Sequence, residues 1–282
     1  MAAPPLESVL RRDRLLIGAC LGALCLLAWA WLAHLALRMA TMEGLAARMM
    51  GMTVDDGLSA WLGAALAPGA AALADAAVNF VLVALMWAVM MVGMMLPAAA
   101  PTILLFAALE RRRVAAGAAG GRVALFVIGY LAAWGGFSVA AAAAQTALAA
   151  TGLMSMQMAV TSGVLGGALF VGAGLVELTP LKDRCLAHCR SPVEWFARHM
   201  RPGRAGALRM GLGHGVYCVG CCWGLMVLLF AGGVMNLAWV AALAAVVLVQ
   251  KLMPNGRAAA RWGGWLLVAA GIALAARGLL AG

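Results

Sequence analysis

The chain has 282 residues, 66% of them hydrophobic and 11% charged, where a soluble domain carries about 25% charged residues; with a mean hydropathy of +1.00, a soluble globular protein is excluded. The formal net charge of +10 lies between apolar runs, so it is a topology signal and no nucleic-acid partner is expected. Ala and Gly dominate with little β-branched alternation, so helices are expected and a barrel is not. The expected fold class is all-α, a polytopic membrane helix bundle in a lipid bilayer, with residues 1–282 forming a single integral membrane domain.

Residues 1–14 are polar and include Arg11, Arg12 and Arg14. The apolar run 15–37 is too long for a cleaved signal and has no clear small-residue cleavage site, so it reads as a retained first span. Cys20 and Cys25 within it read as small apolar fillers, and His34 as an interfacial residue. Residues 38–77 form the one sizeable outer loop, containing Met39, Met42, Met49, Met50 and Met52. Trp61 and the Ala-rich stretch to Pro68 are expected along the interface as a short amphipathic helix. The loop methionines suit capture of a soft metal and equally an apolar face on lipid; both readings stand.

The second span, 78–109, contains MWAVMMVGMMLPAAAP at 86–101. Residues four apart stack on one helix face. Met86, Met90 and Met94 therefore form one thioether column, and Met91 with Met95 a second. Pro97 and Pro101 follow, and are expected to interrupt the helix. The third span, 123–150, has Gly135 and Gly136, suited to close helix packing, and Gln145, expected to hydrogen-bond across helices. The loop 151–158 carries Met154, Met156 and Met158. In the fourth span, 159–178, Gly163 and Gly167 make a GxxxG packing device, and Glu177 reads as a partner to a nearby site or as interfacial. The main basic loop, 179–213, contains Cys185, His188 and Cys189; His199 in it stands alone. The fifth span, 214–235, opens with His214, Cys218, Cys221 and Cys222. A hairpin at 232–237 leads to the sixth span, 238–253, and the seventh is 262–280.

With the amino end inside, seventeen of the twenty basic residues fall on the inner side, leaving Arg38, Arg48 and Arg277 outside. That asymmetry gives about seven transmembrane helices, with the amino end inside and the carboxyl end outside. It also puts five of the seven cysteines on the reducing side, against a disulfide framework.

The chemistry concentrates in two short segments. Cys185, His188 and Cys189 share one helical face, as do His214, Cys218 and Cys221, with Cys222 at the edge. Thiolate and imidazole together bind Zn(II) or Cu(I), and only Cu(I) also accepts thioethers. A zinc site explains the cysteines alone. Copper explains the cysteines and the methionine columns, with ligand strength rising inward. The candidate metal ligands are Cys185, His188, Cys189, His214, Cys218, Cys221, Cys222, Met86, Met90, Met91, Met94 and Met95. A copper donor or acceptor protein is the expected partner. Two other readings stay open: a membrane thiol–disulfide oxidoreductase using Cys218-x-x-Cys221, which lacks a matching outer pair, and a zinc-stabilised scaffold. No phosphate-binding glycine loop, G-x-S-x-G elbow or HExxH occurs, so neither a hydrolase nor a nucleotide-driven pump is expected.

Three stretches carry a resemblance: MWAVMMVGMMLPAAAP at 86–101, ELTPLKDRCLAHCRSP at 177–192 and HGVYCVGCCWGLM at 214–226. Together they resemble the signature segments of a bacterial family of predicted metal-binding integral membrane proteins, some described as copper chaperones associated with copper delivery to tyrosinase-type enzymes. The likeness runs from about residue 80 to 250. It implies copper handling in a bacterial inner (plasma) membrane; with the orientation given by the charges, the amino end is then expected to be cytoplasmic and the carboxyl end periplasmic.

Overall fold

The computed structural model describes residues 6–48, 68–114, 116–155 and 158–280. Among the described residues there are ten helices: α1 Leu6–Arg48, α2 Pro68–Arg111, α3 Ala116–Ala150, α4 Gly163–Glu177, α5 Pro180–Arg190, α6 Pro192–His199, α7 Gly203–Val227, α8 Leu229–Gly232, α9 Leu237–Leu252 and α10 Gly256–Leu280. The extended pairing among them is confined to an isolated bridge between Met154 and Val160. The all-α class is therefore as expected.

Among the described residues five stretches are long and apolar enough to cross a membrane: Leu15–Arg38, Ala76–Arg111, Ala118–Ala150, Gly203–Gly232 and Gly256–Leu280. The other two expected spans depart from simple rods. The fourth is short, α4 having 15 residues, and it continues after a 63° bend into α5. The break is local chemistry: Thr179 precedes Pro180, which disfavours helical backbone at Thr179, and its side chain caps the Lys182 N–H at 3.3 Å to restart the chain as α5. The sixth, α9, has 16 residues, short of the roughly 20 that cross a bilayer core. It stops at Met253, held extended in front of Pro254.

Several expected boundaries are corrected. Residues 39–48 continue α1 and 68–77 begin α2, so the expected loop 38–77 is helical at both its ends. Met49, Met50, Met52 and the amphipathic stretch from Trp61 lie outside the described residues. The basic segment 179–213 is mostly helical: it forms α5, α6 and the opening turns of α7, which starts at Gly203, well before His214. Pro97 and Pro101 do not interrupt α2. Pro97 cannot donate to the Gly93 carbonyl one turn earlier, and the Trp29 indole N–H of α1 donates to it instead, at 3.3 Å.

Small residues decide which helices approach closely. A Cβ on Gly167 would lie 2.6 Å from the Gly271 carbonyl, and one on Gly174 would lie 2.6 Å from that of Gly264. The GxxxG reading thus extends into a seam between α4 and α10. The α3–α7 seam uses Gly211 against Phe126 and Gly129 against Leu208. Gly135 and Gly136 face open space, so the expected close packing of α3 falls one to two turns earlier. Gln145 does reach across helices, accepting the Trp87 indole N–H at 2.6 Å and donating to the Met158 sulfur at 3.0 Å.

Gly271→Leu is expected to force α4 and α10 apart. Overpacking costs about 1–3 kcal/mol, so its unfolding midpoint in detergent should fall. Gly22→Ala, in open space, should leave the midpoint unchanged or raise it. Equal midpoints for Gly271→Leu and the parent chain would contradict the seam.

Candidate metal centre

The centre is assembled where α5 lies against α7, with α2, α3 and α9 around them. α5 is seated by a buried polar group at the bend. The Lys182 ammonium pairs with Glu177 and also donates to the Gln250 side-chain oxygen at 2.8 Å. Gln250 in turn donates to Glu177 at 2.7 Å. Arg190 closes the other end of α5 on the carbonyls of Gln250, 2.9 Å, and Pro254, 2.6 Å. Buried charge is tolerated only when it is paired and hydrogen-bonded, and here each partner satisfies another. The set ties α4, α5 and α9 together.

The next residue of α9 enters the centre itself. The Lys251 ammonium lies 2.7 Å from the Cys218 sulfur. The Tyr130 hydroxyl is 3.0 Å from the same sulfur and donates to the Met95 carbonyl at 3.0 Å. The other thiols follow closely. Cys221 donates to the Cys218 carbonyl at 3.2 Å and its sulfur lies 3.3 Å from that of Cys222. From α5, the Cys189 sulfur comes within 3.8 Å of Cys221. All are free thiols, and Cys218, Cys221 and Cys222 are each 1% exposed. Cys185 is buried over Gly220, whose missing side chain makes room: a Cβ there would lie 3.0 Å from the Cys185 sulfur.

The two histidines of the expected set stand differently. His188 is turned onto Tyr217, the rings parallel within 2° at 4.5 Å, and its Nδ1 meets the Arg184 carbonyl at 2.8 Å. His214 is buried among the rings of Phe126, Tyr130 and Trp195. Its Nδ1 has no hydrogen-bond partner, a condition that a buried polar atom rarely keeps without a reason. The methionine columns face inward: Met90, Met91, Met94 and Met95 are fully buried and Met86 nearly so. Among the described residues no three His, Cys, Asp or Glu side chains are already gathered as a metal-holding set. The sulfurs meet pairwise, with ammonium and hydroxyl groups beside one of them.

Sequence reasoning missed Lys251 and Tyr130. Lys251 counts there only as one of the seventeen basic residues on the expected inner side. An ionisable group within an apolar helix is itself a signal of function, and that signal was available. Of the methionines in the segment after α3, Met154 and Met158 pack against the core, Met158 beside the Gln145 amide, and Met156 lies outside the described residues. Cys20 is exposed on α1 and Cys25 half-buried, away from the other thiols in the chain.

A family model described as PpoB2, copper chaperone, matches residues 84–274, a stretch that holds the methionine columns, both cysteine segments and Lys251. No curated protein and no solved structure matches the chain.

Diamide oxidation of the purified protein should join Cys189 to Cys221 within one chain, read by mass spectrometry of peptides after alkylation. Cys185, apart from that pair, should remain open to alkylation once the protein is denatured. Full alkylation of Cys189 after oxidation would contradict the packing of α5 on α7.

Proposed function

The chain belongs to the copper chaperone family whose model covers residues 84–274, and on that premise we propose that it is a bacterial inner-membrane protein that binds Cu(I) and passes it to or from a partner protein. The observation that carries the reading is the meeting of Cys189 with Cys221 at 3.8 Å, which brings two motifs far apart in sequence to one place. Thiols, thioethers and imidazoles are the donor types that Cu(I) prefers. In this reading the seven expected spans are arranged with the amino end cytoplasmic and the carboxyl end periplasmic. The three helices too short or bent to be simple rods, α4, α5 and α9, lie beside the metal centre.

The residues divide the work by ligand strength. Cys189, Cys218, Cys221 and Cys222 hold the ion most tightly, with Cys185 and His214 at the margins of the set, while the His188 ring is turned away onto Tyr217. His214 brings a buried nitrogen without a partner, a position suited to a ligand. Met86, Met90, Met91, Met94 and Met95 offer weaker thioether contacts, and Tyr130 connects the end of that stripe to Cys218. Stepwise exchange, one sulfur joining before another leaves, moves the ion without exposing it to water. The Lys251 ammonium supplies a positive charge beside the sulfur set, which offsets the surplus negative charge of several thiolates around one monovalent ion.

Zinc holding a scaffold together fits less well. A structural zinc site takes four thiolate or imidazole ligands, which would occupy the cysteines alone and leave the buried methionine columns without a role. A thiol–disulfide relay requires a substrate to reach the attacking sulfur, and Cys218 and Cys221 are each 1% exposed.

Purified wild-type protein loaded anaerobically with Cu(I) is expected to retain copper through gel filtration, and Cys218→Ser with Cys221→Ser to lose most of it, measured by mass spectrometry of the metal. Retention equal to wild type in the double variant, or exclusive retention of zinc by wild type, would sink the reading.

A further inference from the structure

A second donor pair stands outside the sulfur set. α5 and α6 meet at Ser191, which ends one helix and opens the next. The corner frames an open cavity of about 240 Å³. His188 and His199 both line it, together with Glu194, Trp195, Arg198 and Arg257. In sequence the two histidines are unrelated, one inside the cysteine motif and the other alone.

Both rings are fixed in the same way. His188 Nδ1 faces the Arg184 carbonyl at 2.8 Å, and His199 Nδ1 faces the Trp195 carbonyl at 3.0 Å. A carbonyl only accepts, so each Nδ1 carries its proton, and the lone pair of each neutral ring is at Nε2. This is the arrangement by which a hydrogen bond at one ring nitrogen prepares the other as a metal ligand. Stacking removes the remaining freedom: His188 lies on Tyr217 at 4.5 Å, and His199 on Trp195 at 5.1 Å with 16° between the planes.

Resting on the copper reading above, we propose that His188 and His199 form a two-imidazole Cu(I) transit site in this cavity, from which the ion exchanges with Cys189. Cu(I) is a closed-shell ion that accepts two nitrogen donors, so a pair suffices where Zn(II) would require more. Two imidazoles bind Cu(I) more weakly than thiolates, as a transit site requires. Cys189 is the residue after His188 and lies 3.8 Å from Cys221, so the cavity and the buried sulfurs share α5. The lining also selects the form in which copper arrives. Arg198 is paired with Glu194 at 2.7 Å, leaving Arg257 as surplus positive charge. A positive cavity attracts anions, so the site takes Cu(I) from an anionic complex, such as a thiolate carrier, in preference to the bare cation.

The test uses full-length protein in nanodiscs, with Cu(I) supplied anaerobically as its weak anionic dichloride complex. In a Cys189→Ser, Cys218→Ser, Cys221→Ser, Cys222→Ser background, X-ray absorption is expected to show Cu(I) with nitrogen ligation, lost on adding His199→Gln. Absence of such copper from the folded background, or its persistence after His199→Gln, would overturn the proposal. Because four changes in the core risk misfolding, the second arm changes only the exposed His199. His199→Gln alone should reach the same final sulfur-bound copper as wild type but load at least tenfold more slowly in stopped flow. Loading at the wild-type rate would overturn the proposal. A wild-type protein without sulfur-bound copper would instead strike at the copper reading of the thiol set, and the first arm would still decide the histidine pair.

Discussion

The Tyr130 hydroxyl stands between the Cys218 sulfur and the Met95 carbonyl, 3.0 Å from each. That small contact fixes the register of three helices. α2 presents its methionines, α7 its cysteines, and α3 the phenol that joins them. Slippage of any one by a turn would leave a polar atom unpaired in an apolar interior, at a cost of about 1–3 kcal/mol. The fourth member is Lys251 of α9, whose ammonium lies 2.7 Å from the same sulfur. An ammonium in such surroundings is stable only beside a polar or charged partner, so the lysine and the thiol specify each other's positions.

The same principle places the rest of the site. Glu177, Lys182 and Gln250 satisfy one another at the bend between α4 and α5, and Gln250 immediately precedes Lys251 in α9. One helix end therefore serves both the polar lock and the sulfur cluster. The lock sets the angle of α5, and through it the distance from Cys189 to Cys221. Glycine seams act alongside: with side chains removed at Gly211 and Gly129, α7 lies directly on α3, close enough for a phenol to reach a thiol.

Much of this was legible in the residues alone. Four-residue spacing put Met86, Met90 and Met94 on one face, and all three side chains are buried. Gln145 announced an interhelical hydrogen bond by being polar in an alanine run. The prolines misled. Pro97 and Pro101 suggested an interruption, yet α2 continues, because Trp29 supplies the missing donor to the Gly93 carbonyl; a remedy supplied by another helix has no local signature. His199 looked isolated because its cavity partner, His188, belongs to a neighbouring helix. His214 looked like a partner of the cysteines by spacing, while its ring is surrounded by Phe126, Tyr130 and Trp195.

Composition and periodicity by themselves determined an all-α chain with apolar helices of membrane-spanning length, the methionine columns, and the two segments rich in thiols and imidazoles. Those properties are local: they depend on residue type and on a helical repeat of fixed pitch. Tertiary structure alone decided that Cys189 meets Cys221, that Lys251 and Tyr130 attend Cys218, and that a bend after α4 lays α5 against α7. Those contacts join residues distant in the chain, and they are selected by where buried polar atoms find partners and where a missing side chain lets two helices touch.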